Sequence, residues 1–118
     1  VRRSWEERVQ DILEAIEAAQ SFTKGMSLAT FQTDLKAVGA VAYQIIILGE
    51  ASNHIPPEIQ AANPQVPWTK MRAIRNVAIH EYFRFDIPTL WRTVEKELPT
   101  LVEPLRVLLE QNKNEGQA

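Results

Sequence analysis

Apolar residues recur along this chain at steps of three and four, and no run alternates with period two long enough to make a strand, so the pattern predicts helices throughout. Ser4 and Glu7 form an S-x-x-E capping box ahead of a stripe of Trp5, Val9, Ile12, Ile16 and Ala19. Glu6, Arg8, Asp11, Glu14 and Glu17 fall off that stripe. This helix is expected to end near Phe22, before Gly25, and Ser27 to cap a short helix from Leu28 to about Gln32. A long helix follows from about Asp34 to His54. Leu35, Val38, Ala42 and Ile45 mark one face of its first half, whereas Ile45, Ile46, Ile47 and Leu48 point in every direction in its second. A helix that is apolar all round must be covered all round. A domain of this size covers only part of such a helix, so a homodimer through it is expected; a central helix wrapped by its own chain is the alternative.

Pro56-Pro57 stops the long helix. "PPEIQAANP" reads as one short helix, with Pro57 in its first turn and Asn63-Pro64 as its stop. "QVPWTKM" opens the next helix, with Pro67 suited to the first helical position and an end near His80 or Tyr82. Asp86 then caps a last helix with Pro88 in its first turn. Its stripe comprises Leu90, Trp91, Val94, Leu98, Leu101, Val102, Leu105, Leu108 and Leu109, with a kink or break expected near Leu98-Pro99. The fold class is therefore all-α: an up-and-down bundle of about four main helices plus short connecting helices. It occupies a single domain over residues 1–110, followed by a polar tail over 111–118 whose composition predicts disorder.

A chain of 118 residues suffices for one core. The absence of cysteine excludes a disulfide framework and thiolate metal sites, and fits a cytoplasmic protein. "VRRSWEER" has no apolar run behind its basic residues, which is not the pattern of a signal peptide. "AVGAVAYQIIILG" is too short to span a membrane and is expected to be a buried helix. The net charge of −2 argues against a nucleic-acid partner, but the charge is unevenly distributed, either by the ordinary variation of a 25-residue window or because one segment is basic for a purpose. Residues 68–92 hold Lys70, Arg72, Arg75, Arg84 and Arg92 against Glu81 and Asp86, a local +3 in a chain that is otherwise −5. Such a segment can attract phosphate locally.

That basic segment contains "MRAIRNVAIHEYF", a helical stretch carrying Arg75, Asn76, His80 and Tyr82. Met71, Ile74, Ala78 and, slightly off the stripe, Ile79 are its expected core positions. Asn76 and His80 are four apart and share a face; Arg75 and Tyr82 are seven apart and share another. Arg75 and His80 lie about 140° apart on an ideal helix and cannot easily meet within one chain. Either the helix unwinds near His80, or a symmetric partner supplies the second half of the cleft. Histidine gives or takes a proton near neutral pH. Arginine grips a phosphate through two parallel hydrogen bonds, and asparagine can orient the imidazole or hold a phosphate oxygen. Together they suit metal-free RNA cleavage; a histidine at a helix end acting as a cap or as a satisfied buried group is the alternative. His80 would activate the ribose 2′-hydroxyl or protonate the leaving 5′-oxygen, and Arg75 would stabilise charge gathering on the phosphate.

"RNVAIHEY" matches R-x4-H-x-Y as Arg75, His80 and Tyr82, with Asn76 directly after the arginine. The motif resembles that of the HepT-like branch of HEPN proteins. "DILEAIEAAQSF", "IILGEASNHIPPEI", "VPWTKMRAIRNVAIHEYF" and "DIPTLW" extend the resemblance over nearly the whole chain, in the same order. It implies an all-α bundle, a symmetric homodimer, and an RNA-cutting site built from the motif of both subunits, with Arg75 and His80 catalytic and Asn76 supporting. It also implies a partner, an MNT-type nucleotidyltransferase antitoxin able to transfer AMP to the motif tyrosine, here Tyr82. The expectation is thus a metal-independent endoribonuclease toxin without cofactor. The alternative is a non-catalytic helical module that pairs with a nucleotidyltransferase. Arg72 and Arg84 are candidate RNA-backbone contacts, with surface solvation as an equal explanation. Glu50 and His54 are spaced i, i+4 but lack a third ligand, so His54 reads as a helix-end residue and no metal site is expected. Trp5, Trp68 and Trp91 read as packing residues rather than base-stacking platforms.

Overall fold

The computed structural model describes the backbone of residues 3–84 and 86–117, and the side chains of residues 3–76 and 86–113. Within them the fold is all-α. The long helices are α1 (Trp5–Thr23), α3 (Leu35–Asn53), α5 (Trp68–Arg84) and α7 (Pro99–Gln117). The short ones are α2 (Leu28–Thr33), α4 (Pro57–Ala62) and α6 (Ile87–Arg92), and a π-helical segment, Thr93–Glu97, joins α6 towards α7.

The helix boundaries follow the capping chemistry. Ser4 Oγ accepts from the Glu7 N–H, and Glu7 Oε1 accepts from the Ser4 N–H, which closes the capping box of α1. Two of the orphan donors at that helix end are thereby satisfied. Gly25 takes a φ of +79°, a left-handed conformation that glycine adopts without a Cβ penalty, and turns the chain towards α2. Ser27 caps α2, Asp34 caps α3 by accepting from the Ala37 N–H, and Asp86 caps α6 by accepting from the Thr89 N–H. Pro67 supplies the carbonyl that takes the Met71 N–H, so it stands just before the helix rather than in its first turn.

The expected break near Leu98-Pro99 takes a specific form. Proline has no N–H to offer, and its ring clashes with the carbonyl four residues back. The Leu98 N–H instead reaches the Thr93 carbonyl at 2.9 Å, five residues back, which widens the helix into a π turn before α7 begins. The apolar stripe survives the change, because Leu90, Val94, Leu98, Leu101, Leu105 and Leu108 are all buried. The polar segment from Gln111 onwards, expected to be a disordered tail, continues α7 as helix through Gln117, and Asn112 donates to Glu6 of α1 at 3.2 Å.

α3 packs between α1 and α5, and α7 packs against α1. The core joins Val9, Ile12 and Ile16 of α1, Val41, Ile45 and Leu48 of α3, Met71 and Ile74 of α5, and the stripe of α6 and α7. Phe31 of α2 is fully buried, with its ring centroid 5.3 Å from that of Trp91. Trp68 is buried and its indole N–H donates to the Asn63 carbonyl, so this ring holds the α4–α5 turn.

α3 is long and apolar enough to cross a membrane by length and composition alone, more so than its most apolar run suggested. Its packing between two helices, with Val41, Ile45 and Leu48 sealed, makes it a core helix. Yet only 44% of its apolar window is buried. Leu35 remains 64% exposed and Tyr43 63%, with Ile46 and Ile47 half-buried. On a helical projection Leu35, Gly39, Tyr43, Ile46, Ile47 and Glu50 occupy one arc of about 120°. The chain therefore covers one side of this helix and leaves an apolar stripe on the other.

The α1 cap carries a pH dependence. Hydrogen bonds from the Ser4 backbone and then the Ser4 side chain hold the Glu7 carboxyl below the usual carboxylate range. A depressed folded-state pKa stabilises the fold above the unfolded value, about 4.3, and that contribution is lost as pH falls through the folded pKa. Chemical denaturation at a series of pH values should find wild type more stable than Glu7→Gln at pH 7. The gap should close as the medium is acidified below about pH 4.

Candidate active site

α5 turns Met71 and Ile74 into the core, while Lys70, Arg72, Arg75 and Asn76 lie off that buried stripe. The helix continues to Arg84, two to four residues beyond the expected end, so the unwinding considered at His80 does not occur in the backbone. Positions 75 and 80 therefore keep the angular separation of a regular helix, about 140°.

Arg75 lies against α3 at Gly49. A Cβ on that glycine would fall within 2.6 Å of Arg75 Cδ, and nearer still to its Cβ and Cγ, so only glycine admits the arginine stem there. The next residue of α3, Glu50, places Oε1 2.6 Å from Arg75 Nη2. The Arg75 side chain is 30% exposed, while its Nε is buried and has no hydrogen-bond partner. A buried donor left unmatched costs about 1–3 kcal/mol and is uncommon in native proteins. Asn76 is exposed beside it. Arg72 is partly committed: Nη1 donates to Gln60 at 2.9 Å and Nη2 to Thr69 at 3.2 Å. The side chains of His80, Tyr82 and Arg84, and of the expected core positions Ala78 and Ile79, lie outside the described residues.

The basic segment is less free than its composition implies. Lys70 pairs with Glu97 at 2.6 Å and Arg75 with Glu50, both partners coming from outside residues 68–92. The local +3 is thus offset by acidic side chains that the fold brings in. The sequence pattern pairs Glu50 only with His54 and gives Gly49 no role. One signal was present: along the apolar α3 the only charged residues are Lys36 and Glu50, and a charge in such a helix calls for a partner. His54 is exposed and occupies the C-cap position of α3, as its spacing suggested. Among the described residues no three His, Cys, Asp or Glu side chains gather where they could hold a metal ion.

Comparison with known proteins bears on the chemistry of this helix. A family model described as "Ribonuclease HepT-like" matches residues 12–108, well over half of the chain and inclusive of the whole α3–α5 pair. The chain belongs to the HepT-like ribonuclease family. Among its relatives, "Probable ribonuclease HepT" of Thermococcus cleftensis is 38% identical over 86% of this chain and 92% of that protein. "Putative RNase MJ1380" of Methanocaldococcus jannaschii is 33% identical over 83% and 90%. A longer protein of the same archaeon, "Gamma-glutamylcyclotransferase and putative RNase MJ0434", is 33% identical over 89% of this chain, which spans about half of its length. No solved structure matches the chain. Membership places the chain among ribonucleases, consistent with an arginine held at the edge of a helix pair.

The close approach at Gly49 makes a direct test of the α3–α5 packing. Gly49→Ala must either push α5 from α3 or expel the Arg75 stem. Overpacking of this kind typically costs about 1–3 kcal/mol. Urea denaturation should show a loss in that range, with helicity by circular dichroism largely kept.

Proposed function

We propose that this protein is the toxin half of a prokaryotic toxin–antitoxin pair, a metal-independent endoribonuclease whose site forms across a homodimer. The observation that carries the reading is the continuity of α5 through Arg84, which holds positions 75 and 80 on different sides of one helix. A second copy resolves that geometry. The exposed apolar arc of α3 supports the same conclusion, since a stripe of Leu35, Tyr43, Ile46 and Ile47 invites a symmetric, self-complementary contact.

In this reading two copies of α5 line one cleft. One His80 takes the proton of the ribose 2′-hydroxyl as its oxygen attacks phosphorus. The other protonates the departing 5′-oxygen, leaving a 2′,3′-cyclic phosphate and a 5′-hydroxyl. Arg75 stabilises the charge on the non-bridging oxygens, and Asn76 supports the imidazole or a phosphate oxygen. Arg72 and Arg84 contribute backbone contacts. DNA has no 2′-hydroxyl and is not a substrate. The reaction takes place in the cytoplasm, where an MNT-type nucleotidyltransferase acts as antitoxin by transferring AMP to Tyr82. The adenylate sets a bulky negative group beside a phosphate-binding cleft, so RNA is both repelled and blocked.

His80→Ala should abolish cleavage of an RNA oligonucleotide in EDTA and Arg75→Ala should lower it about 100- to 1000-fold, both leaving the helical fold and dimer intact. Refolding wild type with an equal amount of His80→Ala should leave about a quarter of the turnover of all-wild-type protein at the same total concentration, because only wild-type dimers keep both histidines. About half would remain if each chain formed a site of its own. Partner binding with no RNA turnover by the wild type would instead favour a non-catalytic module.

Tyr82→Phe separates regulation from catalysis. The variant should cut RNA within about threefold of wild type, since the phenol is given no proton-transfer role. Incubation with the nucleotidyltransferase and ATP should silence wild type, with a mass increase of one or more AMP groups, and leave the variant active and unmodified.

A further inference from the structure

Two consecutive residues of α3 grip Arg75 at two points. Gly49, lacking a Cβ, lets the aliphatic stem lie directly against the α3 backbone. Glu50, on the next step of the helix, meets the guanidinium at Nη2 with a separation of 2.6 Å. A long arginine side chain ordinarily has many rotamers, and fixing it costs entropy. Here the stem is confined by packing and the head by charge, so that the freedom is removed before substrate arrives. The unpartnered, buried Nε agrees with a guanidinium whose orientation is imposed from outside, because a free side chain would turn to satisfy that donor in water.

We infer that Glu50 is a positioning residue, which with Gly49 forms a cradle on α3 that presents the Arg75 guanidinium to an RNA phosphate. This rests on the proposed catalytic role of Arg75 and extends it to a residue outside the motif. Glu50 engages the guanidinium through Nη2, on one side of its fork, and the charge left over is available to an incoming phosphate. The pair is partly solvated, so its contribution to stability is small. Its consequence lies in orientation, where a misplacement of about 1 Å can lower turnover about 100-fold. The same residue belongs to the exposed arc of α3 that also holds Tyr43 and Ile47, so the cradle stands at the end of the apolar stripe.

The test compares Glu50→Gln with wild type on an RNA oligonucleotide, by single-turnover kinetics with enzyme in excess. The amide keeps the size and removes the charge. The rate constant at saturation should fall about 10- to 100-fold while half-saturation moves less than about threefold. In an Arg75→Ala background the same change should cause no further loss, since there is then nothing to position. Circular dichroism and sedimentation should be unchanged. A separate reading needs no activity: the Nε–H proton of Arg75, followed by NMR, should exchange with water at least about 10-fold faster in Glu50→Gln, because the guanidinium is released.

An unchanged rate in Glu50→Gln would overturn the inference, and so would an effect confined to half-saturation, which would make the carboxylate a competitor of phosphate. A loss of equal size with and without Arg75 would also overturn it, by showing that Glu50 acts elsewhere. Full activity in Arg75→Ala would overturn the catalytic reading together with the positioning one. The exchange measurement then tells the two failures apart, since faster exchange in Glu50→Gln would show the grip to be real but without catalytic use.

Discussion

The closeness of α3 and α5 at Gly49 is the contact on which the rest of the arrangement depends. Two helices ordinarily keep their axes about 8–10 Å apart because side chains fill the gap. Removing one Cβ at a contact lets a long side chain from the facing helix occupy that gap lengthwise. The stem of Arg75 takes this place. Met71 and Ile74, on the same helix, then enter the core beside Ile45 and Leu48 of α3. The guanidinium emerges at the edge of the helix pair, where Glu50 receives it. An arginine could not otherwise sit so near a fully apolar face without the desolvation of its charge outweighing the packing.

The covering of α3 is the second constraint, and it comes from chain length. With α1 on one flank and α5 on the other, a 118-residue chain seals Val41, Ile45 and Leu48 and has no further long helix against the opposite arc among the described residues. α7 is committed to α1, where its stripe of leucines closes the far side of the core. Full burial of one Leu or Ile side chain contributes about 1.5–3 kcal/mol. Leaving Leu35, Tyr43, Ile46 and Ile47 in contact with water thus forgoes several kcal/mol that a self-complementary contact would recover. Retaining these residues makes sense if the arc has a further occupant in the working assembly.

Most of the architecture was legible because caps and stripes agree with each other. Ser4, Ser27, Asp34 and Asp86 each mark a helix start that the backbone adopts, and Trp5, Trp68 and Trp91 act in packing as their neighbours implied. Not every detail was legible. The end of α5 depends on the residues after Tyr82, and "EYFRFDIP" contains no glycine to stop a helix, only Pro88 some residues later. The π turn at Thr93–Glu97 is one of several answers to a proline inside a buried stripe, and only the need to keep Leu98 and Leu101 in the core selects it. Within the α3–α5 pair, spacing singled out Arg75 as a candidate but gave no sign of what holds it. Glu50 is distant from it along the chain, and the relation between the two exists only once α3 and α5 pack. The apparent basic patch failed to anticipate Glu97 and Glu50 for the same reason: charge counted within a window ignores partners supplied by other helices.

α3 thus combines two tasks that are usually assigned to separate parts of a protein. Its outward arc, through Tyr43, offers an apolar surface, and about two turns further along, roughly 10 Å, Gly49 and Glu50 seat Arg75. A regular helix of this length is rigid, so a body docked on the first part has a fixed relation to the second. The angular separation of positions 75 and 80 on α5 means that one chain places the two motif positions on different sides of that helix. If the docked body is a second copy, the rigid link between stripe and cradle brings the complementary half of the chemistry to a defined place without any loop having to close. Activity then depends on protein concentration as well as on substrate, since dilution below the dimer dissociation constant dismantles the site while each monomer stays folded around the same core.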